Sequence, residues 1–259
     1  MPEMENLLKT ICNRILDEEG HLFDLFDPDE FNPAKRRPPR PVPAGPGSEF
    51  LFICEIKRAS PVKGRLCANF EPGKLARQYE RAGAGAISVI TEKNFFRGSV
   101  EHLLPVRRQT NLPLLRKDFL IHPQQVYSSY NLGADFILLI AACLGDDQLK
   151  EMVAAARLLN LSVMIEIHPA SELERVLSVN PDLLAINNRN LDDFSVDSRH
   201  SLAIKPLVPE EIPVISASGI NSAAQIRELK AAGFAGALIG EHLVRSSEPE
   251  KTLRRLIHD

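Results

Sequence analysis

Short apolar runs rich in β-branched residues begin at residue 51 and recur to the end of the chain. Each is followed by a longer stretch whose apolar residues return at helical spacing. The runs are FICEIK (52–57), AISVIT (86–91), LPLLRKD (112–118), DFILLIA (135–141), SVMIEI (162–167), LLAINN (183–188), PVISAS (213–218) and GALIG (236–240). Near-continuous hydrophobicity marks parallel strands buried on both faces, and their alternation with helices predicts right-handed βαβ units. Three helix-to-strand junctions look alike: YERAGAGAISVI, YNLGADFILLI and LKAAGFAGALIG. They put Gly83, Gly133 and Gly233 just past a helix, where the backbone turns left-handed. Eight units sharing one period predict an α/β fold, a closed (β/α)8 TIM barrel filling residues 51–259. An open doubly wound sheet would instead want GxGxxG after its first strand, and FICEIKRASPVKG has none.

Helix starts are punctuated as well. Pro123 suits the first turn of the third barrel helix, and Asp146 or Asp147, Ser171 and Asn221 are the expected N-caps of the fourth, fifth and seventh. Ahead of the barrel, Met4, Leu7, Leu8, Ile11 and Ile15 fall on one helical face, and RPPRPVPAGP (37–46) forms a stiff connector. Residues 1–50 therefore read as an N-terminal helical extension.

Composition narrows the function classes. With 259 residues, 44% hydrophobic and 25% charged, the chain lies far from disordered, collagen-like or coiled-coil compositions. A net charge of -3 and a single short basic cluster, Lys35-Arg36-Arg37, argue against a nucleic-acid or membrane-surface partner. Cys12, Cys54, Cys67 and Cys143 lie far apart without CxxC spacing, so neither a metal cluster nor a disulfide framework is expected, and a reducing compartment fits. No apolar run is long enough for a membrane span, and MPEMENLLKT lacks the basic and apolar segments of a secretory signal. The expectation is a cytoplasmic, stand-alone, monomeric protein acting on a small molecule.

In such a barrel, chemistry sits at the carboxyl ends of the strands. Those ends are unusually polar here: Glu55 and Lys57 on the first strand, Lys117 and Asp118 on the third, Glu166 on the fifth, Asn187, Asn188 and Arg189 on the sixth, and Ser218-Gly219 on the seventh. One charge at a strand end is ordinarily a solvated terminus. Two lysines, two glutamates and an asparagine converging on one mouth are either a buried ion network or an active site. SASGINSAAQIREL after the seventh strand and IGEHLV after the eighth both open a helix from a glycine turn, the usual phosphate site of these barrels. In TEKNFFRGS, one of Phe95 and Phe96 is expected in the core and the other beside a planar substrate. The loop SPVKGRLCANFEPG exceeds ordinary βα connections and is a candidate lid.

Taken together, EIKRASPVKG, TEKNFFRGS, LPLLRKDF, IEI, INNRNL, SGI and IGEHLVR resemble the indole-3-glycerol-phosphate synthase family over residues 51 to the end. The resemblance implies cofactor-free ring closure of 1-(2-carboxyphenylamino)-1-deoxyribulose 5-phosphate with loss of carbon dioxide and water, in tryptophan biosynthesis. By that likeness Lys117 is the general acid at the ketone oxygen, Glu166 the general base of dehydration, and Lys57 the partner of the substrate carboxylate. Glu55 assists or orients Lys57, Asn187 hydrogen-bonds the reacting centre, and Arg189 stands beside it. Ser218, Gly219 and Gly240 match phosphate-site positions, Ser60 the ordering residue of the first loop, and Phe96 the aromatic before Gly-Ser. One departure stands out: where the family reads ESGI, this chain has Ala217-Ser218-Gly219-Ile220. The missing carboxylate predicts a slower enzyme or a shifted pH dependence.

Other phosphate-binding barrels fit less well. Phosphoribosylanthranilate isomerase would want a Cys or Asp acid/base pair at strands one and five, where Glu55, Lys57 and Glu166 stand, and metal-dependent epimerases want histidines at several strand ends, where only His168 is close. A Schiff-base aldolase using Lys57 or Lys117 and a binding module without turnover complete the alternatives.

Overall fold

The computed structural model describes residues 7–23, 36–45, 47–67, 69–190 and 195–259. Met4, Lys35 and Pro46 of the sequence reading lie outside them. Eight parallel strands close into a barrel: β1 (Leu51–Ile56), β2 (Ala86–Ile90), β3 (Leu114–Lys117), β4 (Phe136–Ile140), β5 (Ser162–Ile167), β6 (Leu183–Asn187), β7 (Val214–Ala217) and β8 (Gly236–Ile239). Each strand pairs with its sequence neighbour, and β8 returns to β1 with Leu51 opposite Gly236. Closure of the sheet on itself leaves no edge strand to protect.

The alternation along each strand decides where chemistry can sit. Ile53, Leu115, Leu138, Met164, Ala185, Ile215 and Leu238 fill the barrel interior, while Cys54, Ile56, Leu139, Ile165 and Ile186 pack outward under the helices. Because the period is two, Glu55, Lys117, Glu166 and Asn187 continue the inward-facing sets where the packed interior ends.

Helix α1 (Leu7–Phe23) lies outside the repeat. Its Leu8 and Ile11 join the inner cluster and Leu8 reaches the barrel mouth, so α1 is packed over the carboxyl ends of the strands. Ile11 is 1% exposed, a burial worth about 1.5–3 kcal/mol. Glu18 binds Lys93 at 2.7 Å in the loop after β2, and Phe23 stacks on His122 with ring centres 4.3 Å apart.

The remaining helices are α2 (Pro72–Ala82), α3 (Leu103–Arg107), α4 (Pro123–Asn131), α5 (Asp146–Leu158), α6 (Leu173–Leu177), α7 (His200–Ile204), α8 (Ala223–Ala231), α9 (Glu241–Val244) and α10 (Pro249–His258). Gly83, Gly133 and Gly233 take φ of 102°, 91° and 75°, the left-handed stop expected of them. Pro123 opens α4. The other N-caps shift. Gly145 precedes α5, with Asp146 and Asp147 in its first turn. Ser171 sits inside a short 3-10 turn before α6, so no cap forms there. Ser222 rather than Asn221 caps α8, accepting from the Gln225 amide at 3.3 Å, with the Gln225 side chain returning to the Ser222 amide. The long loop after β1 folds into a ribbon, Ala59–Ser60 against Gly64–Arg65, whose turn stands at the mouth.

Candidate active site

A cavity of about 990 Å³ opens at the carboxyl ends of the strands. Glu55, Lys57, Ser60, Phe96, Lys117, Glu166, Asn187, Arg189, Ser218, Gly219 and Gly240 all line it. Each arrives there for a local reason. Glu55 and Lys57 are two apart at the end of β1 and share a face, and the Lys57 ammonium lies 2.7 Å from the Glu55 carboxylate. Glu55 is 3% exposed. Burial pushes its carboxyl up, but Lys57, Lys117 and Arg189 outweigh that and hold it below the usual value of 4.5.

Lys117 is aimed inward by a network on the opposite face of β3. Arg116 donates to Asp118 at 3.1 Å, to Thr91 Oγ1 at 3.2 Å and to Ser129 Oγ at 3.1 Å. Thr91 in turn donates to Asp118. Asp118, read from the sequence as a strand-end polar group, thus belongs to the scaffold behind the lysine rather than to the cavity. Asn188 is likewise turned away, donating to Ser216 Oγ at 3.1 Å and to the Ser218 carbonyl at 3.0 Å.

Across the mouth, Glu166 is 3% exposed and lies 3.9 Å from the Lys117 ammonium. The Asn187 amide donates to its other oxygen at 3.0 Å, and Asn187 Oδ1 accepts from the Arg189 backbone at 3.0 Å. Behind these groups His168 Nδ1 meets the Asn187 carbonyl at 2.7 Å and its ring stacks on His200. Lys117 and Glu166 therefore form a loose ion pair at the edge of the cavity, with both groups open to a reacting group placed beside them.

The turn after β7 also borders the cavity. Ser218 and Gly219 take consecutive φ values of 70° and 78°, an unusual left-handed pair, and both line it. A Cβ on Gly219 would meet Val196 at 2.6 Å, and one on Gly240 would lie 2.2 Å from the Glu55 carboxylate. Gly240 has a φ of -127°, so it is the acidic side chain beside it, and not the turn, that favours glycine here. Ser60 Oγ accepts from the Lys63 amide at 3.1 Å, ordering the ribbon turn. Phe96 lines the cavity beside Phe119, with ring centres 6.3 Å apart, while Phe95 is half-buried against the inner cluster.

The sequence reading missed several lining residues. Phe119 follows Lys117 by the same two-residue alternation that revealed the lysine. Glu241 lies 3.9 Å from Arg189 and 3.3 Å from Arg245, and all three reach the cavity. Glu241 puts a carboxylate at the mouth from the loop after β8, whereas Ala217 puts a methyl group there from β7. Among the described residues no group of three or more His, Cys, Asp or Glu side chains is placed to hold a metal ion.

A closed (β/α)8 barrel with lysine, glutamate and asparagine side chains gathered beside two glycine turns at one mouth is the arrangement of a barrel enzyme acting on a small molecule. Residues 43–256 match the family model described as indole-3-glycerol phosphate synthase, and the chain belongs to that family. It is 43% identical to the indole-3-glycerol phosphate synthase of Desulfotalea psychrophila, over 98% of this chain and 99% of that one. Identity to the protein of the same name from Ruminiclostridium cellulolyticum is 44%, over 98% and 94% of the two chains. Both alignments take in the lead as well as the barrel. Solved structures share the fold at low identity. Thiamine phosphate pyrophosphorylase from Pyrococcus furiosus superposes with a TM-score of 0.60 at 17% identity, over 80% of this chain and 93% of that one. Orotidine 5'-phosphate decarboxylase from Pyrococcus horikoshii gives 0.60 at 11% identity, over 80% and 97%. The chain is an enzyme of the carboxy-lyase class.

Proposed function

We propose that this enzyme closes the pyrrole ring of 1-(2-carboxyphenylamino)-1-deoxyribulose 5-phosphate, giving indole-3-glycerol phosphate, carbon dioxide and water. The observation that carries the residue roles is the pairing of Lys117 and Glu166 across 3.9 Å of an open cavity, with Asn187 bound to the glutamate. Lys117 donates a proton to the ketone oxygen as the aromatic carbon attacks the carbonyl carbon. The ring carboxylate, held by Lys57, then leaves as carbon dioxide with its bonding pair returned to the ring. The hydroxyl then leaves as water with a proton from the Lys57 ammonium, and Glu166 removes the remaining proton to complete the indole. The overall change is redox-neutral, so no electron-transferring cofactor is required.

Glu55 fixes Lys57 through their 2.7 Å contact, and Arg189 borders the reacting centre beside Asn187. The amides around Ser218, Gly219 and Gly240 receive the phosphate, Phe96 flanks the planar ring, and Ser60 orders the first loop over it. We read residues 51–259 as the catalytic barrel, residues 1–50 as an N-terminal helical extension and Pro-rich connector whose helix α1 packs on the barrel mouth, and the protein as a cytoplasmic monomer. A fluorescence assay for indole-3-glycerol phosphate with the wild type, Lys117→Ala and Glu166→Gln tests the assignment. Loss of turnover in both variants is expected, and wild-type activity in either one overturns it.

A further inference from the structure

The loop after β2 is organised around one buried carboxylate that the proposed chemistry does not use. Glu92 is 6% exposed and does not line the cavity. Its Oε1 accepts from the Asn94 amide at 2.7 Å, and its Oε2 accepts from the Phe95 and Phe96 amides at 2.7 and 2.8 Å. Its own carbonyl accepts from the Gly98 amide at 2.7 Å, closing the loop from the other end. A Cβ at Gly98 would lie 2.6 Å from the Ile90 carbonyl oxygen and 2.7 Å from that of Glu92, so only glycine allows this closure. At its base the loop is tied to β3 through Thr91 and Asp118. Three successive amides converging on an anion form a nest, and the last of them belongs to Phe96, the residue that faces the mouth.

We propose that Glu92 is a positioning residue for the ring-closure reaction: its carboxylate folds loop 91–98 and thereby sets Phe96, beside Phe119, as the wall against which the planar ring of the substrate packs. The proposal rests on the reading of Phe96 as a substrate contact. Glu92 acts through Phe96 and not on the reacting atoms, because its oxygens are occupied by backbone donors. A carboxylate is needed because both oxygens accept. A glutamine of the same shape would offer one acceptor and turn an NH2 group against an amide donor.

The test is a thermodynamic cycle on the full chain with the ribulose phosphate substrate, following kcat and KM for Glu92→Gln, Phe96→Ala and the double variant, with thermal unfolding recorded for each. Phe96→Ala is expected to raise KM roughly tenfold with little change in kcat, as loss of an apolar contact does. Glu92→Gln is expected to raise KM by a similar factor in the wild-type background and by less than about twofold when residue 96 is already alanine. Should Glu92→Gln fold poorly, Gly98→Ala disturbs the same loop from its other end and is expected to show the same dependence on residue 96. Independent, multiplicative effects of Glu92 and Phe96, or a fall in kcat without movement of KM, would overturn the positioning role. An unchanged KM in Phe96→Ala would instead remove the substrate contact on which the proposal stands, an outcome distinct from the first.

Discussion

Two clusters of buried charge stand at opposite ends of the barrel, and they are built differently. At the amino ends of the strands Asp135 is 0% exposed and fully claimed. It accepts from Arg107 at 2.7 Å, from the amides of Arg40 and Leu114 at 2.9 Å, and from Arg36 at 3.5 Å. The guanidinium of Arg107 also donates to the Thr110 and Leu112 carbonyls, so the cluster has no space for a guest. At the carboxyl ends, Lys117 and Glu166 stand 3.9 Å apart beside an open cavity. Saturated hydrogen bonding makes a buried charge structural. Charges held in loose mutual geometry remain available to a substrate, whose groups complete the set.

That contrast can be broken from either side. The largest effect is expected for Lys117→Ala, which should lower kcat/KM by roughly 10³- to 10⁴-fold through loss of the general acid. Its unfolding midpoint should stay near that of the wild type, as measured by calorimetry alongside the indole fluorescence assay. A large loss of stability would mean that the mouth cluster is structural after all. The mirror variant, Asp135→Asn, should cost on the order of 3–5 kcal/mol of stability by leaving buried guanidinium groups without their anion. Activity of the folded fraction at low temperature should change little, and denaturant titration paired with kinetics separates the two.

A smaller effect concerns acid. Because Glu55 is held below the usual carboxylate value, its ion pairing stabilises the fold at neutral pH, and this contribution is lost as pH falls through its lowered value. Thermal unfolding of Glu55→Gln across pH 3–7 should therefore show a deficit at neutral pH that closes in acid, with a constant deficit counting against the mouth assignment. The smallest effect is expected for Ala217→Glu, which adds a carboxylate to the cavity that Glu241 also lines. It should move one limb of the pH-rate profile by up to about one unit. Superimposable profiles would show that the methyl group at this position is neutral for catalysis.

Much of this arrangement was legible in order along the chain. The two-residue alternation that keeps Ile53 and Ile215 inside the barrel also delivers Glu55 and Ala217 to its mouth, so strand boundaries fell within a residue or two of those read from hydrophobic runs. Loop residues obey no such period. Ser222 displaces Asn221 as the cap of α8 because capping depends on the reach of one side chain to one amide, which residue preference alone does not resolve. Glu92 and Glu241 were passed over for a related reason: a glutamate in a polar loop looks solvated until its neighbours are known. The scaffold role of Asp118 became visible only once Arg116 and Thr91 were placed around it.

The missing side chain at residue 240 has a consequence for anyone wishing to re-engineer substrate choice. Phosphate cradles are common targets for redesign, and a polar substitution at a cradle glycine is an obvious first library position. Here the space a new Cβ would need is already held by the Glu55 carboxylate. A change meant to retune phosphate recognition would therefore displace the partner of Lys57, and the two traits could not be optimised independently. Variation aimed at the proposed phosphate site is better placed at Arg245, which faces the same cavity without touching that pair.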